Sequence, residues 1–135
     1  MNKTVKLGEG PEVGRIGYGT MQLPGKGVWG ESEDPAGAVE VLRKAVELGI
    51  DFFDTADSYG PFVAEDLLHE ALHPYDGITV ATKAGLIRTG PGQWHQIGRP
   101  EYLRFALEMS LRRLGVDQID LFQLHRIDSQ VPAEE

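Results

Sequence analysis

The sequence predicts an α/β fold, the N-terminal half of a (β/α)8 TIM barrel, with about four parallel strands, three helices and an N-terminal β-hairpin. Three observations predict it. Short apolar runs ending near a polar residue recur at 16–20, 50–53, 78–82 and 119–124. Between them lie stretches with helical spacing of apolar residues, bounded by Pro or Gly. Helices of about 10 to 15 residues between such strands imply parallel pairing with right-handed crossovers.

Taken in order, 5–7 and 12–14 flank Gly8-Glu9-Gly10-Pro11, whose glycines permit positive φ, so the chain opens with a hairpin that plugs one end of the fold. The strand at 16–20 holds two glycines, which suits a close approach of backbone to a ligand. Asp34 caps the first helix with Pro35 at its first position. Val39, Leu42 and Val46 recur on one face beside Ala38 and Ala45, and Gly49 ends it. Ile50, Phe52 and Phe53 stop at Asp54, as expected for a strand buried on both faces.

Val63, Ala64, Leu67, Leu68 and Ala71 share one face of a second helix, which Pro74 prevents from passing His73. The β-branched run 78–82 ends at Lys83. Residues 86–98, rich in Gly and carrying Trp94, read as a long loop able to cover a site. Pro100 opens a third helix with Leu103, Leu107, Leu111 and Leu114 as its apolar stripe and Gly115 as its left-handed terminator. The run 119–124 precedes His125, and 131–135 reads as the start of a fourth helix. A whole barrel takes about 250 residues, so 1–135 is expected to be one partial barrel domain, truncated near that fourth helix. Its bare strand edges would then invite self-association.

Composition narrows the function. The 41% apolar and 25% charged residues fit an ordinary globular protein, and no apolar run approaches the roughly 18 residues of a membrane helix. Met1-Asn2-Lys3-Thr4-Val5-Lys6 lacks the apolar core of a signal peptide, so a cytoplasmic location without membrane attachment is expected. The absence of cysteine excludes disulfides, thiolate metal sites and a thiol nucleophile. A net charge of -8 argues against nucleic acid and for a small-molecule ligand.

In parallel α/β folds, residues past the carboxyl ends of strands face one rim. Asp54, Tyr59, Lys83 and His125 all fall there. Reducing a carbonyl requires a hydride at carbon and a proton at oxygen. Tyr59 can supply that proton, but a free tyrosine has a pKa near ~10 and needs a nearby cation. Lys83 is the candidate cation, Asp54 the carboxylate that orients it, and His125 the hydrogen-bonding partner of the carbonyl oxygen.

Gly17-Tyr18-Gly19-Thr20-Met21, Asp54-Thr55-Ala56-Asp57-Ser58-Tyr59-Gly60, Ala81-Thr82-Lys83-Ala84-Gly85 and Asp120-Leu121-Phe122-Gln123-Leu124-His125 resemble segments of the aldo-keto reductase family, in the family's order. The resemblance implies NADPH-dependent reduction of aldehydes or ketones, with Tyr59 as acid, Lys83 and Asp54 as its support and His125 beside the oxygen. It further implies that Gly19, Thr20, Met21 and Asp54 lie near the nicotinamide. The family's Ser-Asn pair for the carboxamide, its aromatic that stacks on nicotinamide and its basic residues for the 2′-phosphate belong to later strands and loops. These 135 residues alone are therefore expected to be inactive or weakly active, and a non-catalytic half-barrel that binds a partner or itself is the alternative.

Blander readings stand beside these. Asp54 and Lys83 could be a structural ion pair, Tyr59 a partly buried aromatic and His125 a hydrogen-bonded residue under a loop. Trp29 and Trp94 could each line a substrate pocket or simply pack. His69-Glu70-Ala71-Leu72-His73 matches the H-E-x-x-H pattern of zinc hydrolases. Both histidines lie opposite the apolar face, toward solvent, with no third ligand, so no metal site is expected. His95 reads as an exposed loop residue and Arg112-Arg113 as a solvated face. The glycines of Gly8-Glu9-Gly10 precede no helix, so a phosphate-cradling loop is not supported.

Overall fold

The computed structural model describes residues 3–135. Strands β1 (Thr4–Lys6) and β2 (Glu12–Gly14) form the expected antiparallel hairpin, in the register Val5 opposite Val13. Strands β3 (Tyr18–Gly19), β4 (Phe52–Asp54), β5 (Thr79–Ala84) and β8 (Leu121–Leu124) form one sheet in that order, all parallel. Helices α1 (Pro35–Glu47), α2 (Val63–Leu72) and α3 (Pro100–Leu114) make the three crossovers. α1 packs on α2 and α2 on α3.

Local chemistry sets the ends of these elements. Asp34 Oδ1 accepts from the Gly37 N–H at 3.0 Å, satisfying one free donor of the first turn of α1. Gly115 takes φ +70 as the left-handed stop after α3. The core lies between helices and sheet. Leu42 of α1, Leu68 of α2 and Leu114 of α3 are at most 1% exposed and cluster with Phe53 and Val80 of the strands. No helix of the described residues is long and apolar enough to cross a membrane.

Several expectations need correction. The stretch read as one long loop folds into a second hairpin, β6 (Leu86–Gly90) and β7 (Gln93–Gln96), joined across Pro91 and Gly92. Its signal was a Gly-Pro-Gly turn between two short runs, neither of which is the continuous apolar stretch of a buried strand. The stripe expected on α3 is rotated. Ala106, Ser110 and Leu114 are buried, whereas Leu103, Leu107 and Leu111 are only half-buried.

The rotation has a chemical cause in Glu65, which is fully buried in α2. It accepts from Thr82 Oγ1 at 2.6 Å, Ser110 Oγ at 2.8 Å and Arg113 Nε at 2.6 Å. A buried carboxylate needs such donors, so α3 turns Ser110 and Arg113 inward. Arg113 is thus no solvated residue; it also lies 4.2 Å over the Phe62 ring. Of residues 131–135, Ala133 and Glu134 form a turn that the Glu135 N–H closes on the Pro132 carbonyl at 3.2 Å. Gly17 makes room for packing, since a Cβ there would lie 2.9 Å from the Phe52 ring.

The two histidines of the zinc-like pattern also depart from expectation. Their rings stack with centroids 4.6 Å apart. His69 Nδ1 lies 3.0 Å from the Arg113 carbonyl and His73 Nε2 3.1 Å from that of Gly115. They tie α2 to the end of α3 rather than pointing freely to solvent. No group of three or more His, Cys, Asp or Glu able to hold a metal occurs among the described residues.

Candidate active site

Backbone ladders continue past the strands and carry the polar residues onto one rim. Thr20 N–H donates to the Asp54 carbonyl at 3.0 Å, Thr55 N–H to Ala81 at 2.8 Å and Asp57 N–H to Lys83 at 3.2 Å. His125 N–H donates to Ala84 at 2.7 Å. Residues 55–60 are all buried, so the segment between Asp54 and Tyr59 is clamped rather than loose. Gly60 turns it with φ +126, where a Cβ would lie 2.5 Å from that of Val63, so only glycine fits.

The four expected side chains meet. Lys83 Nζ donates to Asp54 Oδ2 at 2.7 Å, to the Thr55 carbonyl at 2.8 Å and to Tyr59 Oη at 3.2 Å, which uses all three N–H groups. The phenol oxygen is therefore an acceptor toward the ammonium, and no other hydrogen bond to it occurs among the described residues. Its own proton is left to be donated into the cleft. Tyr59 as a whole is only 6% exposed, so its ring is held in place by its neighbours. Its ring meets His125 edge to face at 5.8 Å and Trp94 at 6.4 Å.

Burial, with Lys83 and Arg126 nearby and Asp54 opposing, pushes His125 down to about 4. The imidazole is neutral at pH 7 and acts through hydrogen bonds, not charge. Its Nδ1 lies 3.3 Å from Ser58 Oγ. With the Ser58 hydroxyl as donor, the ring proton sits on Nε2. Ser58 had no separate signal, although it lies inside the segment that carried Tyr59.

Tyr59 and His125 border an open cleft of about 780 Å³, lined also by Met21, Leu86, Trp94, His95, Gln96 and Arg126. Trp94 is thus a wall of the cleft; Trp29 is not among its lining residues and is bridged to Gly60, with Arg88 over its ring at 5.6 Å. His95 is exposed as expected, on β7 rather than in a loop, with Nε2 2.7 Å from Thr89 Oγ1. A smaller recess of about 180 Å³ is lined by Pro74, Tyr75, Val116 and Ile119 and none of the four rim residues.

Of the residues tied to the nicotinamide by resemblance, Gly19 is exposed with open space where a Cβ would stand, and Met21 is 41% exposed. Thr20 is fully buried, and its hydroxyl donates to the Asp54 carbonyl at 3.1 Å. It supports Asp54 and has no free surface of its own.

The Aldo/keto reductase family model matches residues 15–135. An oxidoreductase of Schizosaccharomyces pombe is 54% identical over 132 residues, which are 98% of this chain and 43% of that protein. Among solved structures, the holo form of an aldo-keto reductase from Bacillus halodurans superposes with a TM-score of 0.82 at 34% identity, over 98% of this chain and 43% of that one. An aldo-keto reductase from Klebsiella pneumoniae in complex with NADPH gives 0.71 at 28% identity, over 95% and 41%. The chain spans less than half the length of each.

Proposed function

Because the chain belongs to the Aldo/keto reductase family, we propose that Tyr59, Lys83, Asp54 and His125 serve an oxidoreductase that reduces aldehydes or ketones to alcohols with NADPH. The observation that carries this reading is the Lys83 ammonium, 2.7 Å from the Asp54 carboxylate and 3.2 Å from the Tyr59 phenol beside an open cleft. The open rim at Gly19 and Met21, next to an Asp54 side chain that is 36% exposed, fits the nicotinamide end of the cofactor. The NADPH-bound Klebsiella neighbour supports the choice of cofactor.

The reduced nicotinamide, when bound, supplies the hydride that forms the new C–H bond at the carbonyl carbon. Tyr59 donates its proton to the carbonyl oxygen as negative charge develops there. Lys83 supports the phenolate charge that the departing proton leaves, and Asp54 keeps the ammonium charged and aimed. Neutral His125 donates its Nε2–H to the same oxygen, which orients the substrate. Trp94 closes one side with an apolar face, a surface for the organic part of the carbonyl compound.

The test is carbonyl-dependent oxidation of NADPH by this chain and by a longer form of it. The longer form is expected to turn over, the 135-residue chain weakly or not at all. Tyr59→Phe should lower kcat by roughly 10²- to 10⁴-fold. Failure of both forms to bind NADPH and to reduce any carbonyl compound would overturn the reading.

A second reading, a non-catalytic half-barrel that binds a partner or pairs with itself, draws on the open edges of β3 and β8 and on the nearby Leu124 and Ile127, 50% and 76% exposed. A concentration-independent monomer in sedimentation would count against self-pairing.

A further inference from the structure

We propose that Arg88 is a positioning residue for this site: its guanidinium gathers three chain segments through their carbonyls, stacks on Trp94, and so fixes the Tyr59 backbone and one wall of the cleft together. The inference rests on the carbonyl-reducing reading above.

Arg88 lies on β6, opposite Trp94 of β7. Each of its five N–H groups meets a backbone carbonyl. Nε donates to Gln93 at 2.8 Å, one terminal nitrogen to Val28 and to Ser58 at 2.8 Å, and the other to Gly27 at 2.8 Å and Gly90 at 3.4 Å. A guanidinium carries five donors in a planar fork, so its capacity is filled. The acceptors come from the loop after β3, the residue just before Tyr59 and the turn of the second hairpin.

The Arg88 carbon at the fork lies 3.7 Å from the Trp94 ring centroid, a stacked cation–π contact. Trp94 in turn meets Tyr59 and His125 edge to face. Burial pulls the Arg88 pKa down, and among the described residues no ion pair includes it. A cation partly removed from water without a carboxylate is stabilised here by five carbonyl dipoles. Such an arrangement holds only if all three segments keep their places.

A plain brace for loops would need no alignment with the phenol. What separates the two roles is that Arg88 holds the Ser58 carbonyl, one peptide away from Tyr59, while its flat face sets the indole that touches the same phenol ring. A displacement of about 1 Å in such a group can cost 10²-fold in rate. Lysine places three donors on one nitrogen and cannot span these acceptors.

The experiment compares Arg88→Met and Arg88→Lys with the parent, all in a Trp29→Phe background so that Trp94 is the sole indole. Acrylamide quenching of the 135-residue chain reports the exposure of Trp94, and NADPH-dependent reduction of benzaldehyde by the longer form carrying the same substitutions gives kcat and KM. Both variants are expected to show easier quenching and a kcat lowered roughly 10- to 100-fold, more than KM rises, with Lys failing to rescue. Unchanged quenching and unchanged kcat in a folded variant would overturn the proposal. So would a loss of thermal stability alone, or full rescue by lysine. Should Arg88→Met fail to fold, Arg88→Lys carries the same comparison. If neither the 135-residue chain nor the longer form reduces a carbonyl, the carbonyl reading fails by itself, and quenching still decides whether Arg88 sets the indole.

Discussion

Asp57, two residues before Tyr59, offers a prediction whose size follows from its surroundings. Its side chain is 4% exposed and one carboxylate oxygen has no hydrogen-bond partner. Burial first and the Glu65 carboxylate second push its pKa up to about 7, against the pull of Arg113 and the Ser58 N–H. In the unfolded chain it returns to the model-peptide value of about 3.9. Between those limits the folded state holds a proton that the unfolded state has lost, so this group makes stability fall as pH rises, and the penalty is complete above about 7. A rise of about three units corresponds to ~4 kcal/mol across the window, or ~1.4 kcal/mol per pH unit. The assay is urea unfolding of the parent and Asp57→Asn from about pH 4 to about pH 8, taking the difference so that other groups cancel. Relative to the parent, Asp57→Asn is expected to gain stability steadily through the window, by a few kcal/mol in all. A difference that does not change with pH would refute the reasoning.

Three further outcomes follow from the same contacts. Proton exchange at His125, followed by NMR of the ring, is expected near pH 4, so lowering pH from about 7 to about 5 should leave its contribution to kcat/KM intact; titration near the ordinary value of about 6.5 would contradict this. Glu65→Gln leaves Arg113 without its buried counter-charge and should destabilise by about 3–5 kcal/mol in chemical denaturation, with little change at the rim. Leu68→Ala, at a fully buried position of α2, should cost about 2–5 kcal/mol by the same measurement.

Much of this was legible because buried parallel strands are apolar along their whole length and end abruptly where they reach a rim. Phe52-Phe53-Asp54 and the β-branched run up to Lys83 carried both the strand and its polar terminus on the rim in one signal. Helix α1 was equally clear, since Asp34-Pro35 and the spacing of Leu42 and Ala45 agree on one answer. The second hairpin was not, because its two short strands mix apolar and polar residues without a regular alternation and only the turn marks it. Glu65 was hidden for another reason. A glutamate in the first turn of a helix normally favours the N-terminal dipole, and nothing local says that Thr82, Ser110 and Arg113 converge on it from distant elements. Arg88 likewise reaches the Ser58, Val28 and Gly27 carbonyls across 30, 60 and 61 residues, and Ser58 meets His125 across 67.

The central claim is that a phenol and an ammonium work as one proton-donating unit. A double-substitution cycle on kcat of an active form, with Tyr59→Phe, Lys83→Met and the pair together, tests it most directly. Groups acting as a unit are strongly non-additive, so the pair is expected to lose no more than the worse single variant, roughly 10²- to 10⁴-fold. Losses that multiply, or a single variant that keeps the parent rate, would contradict the account.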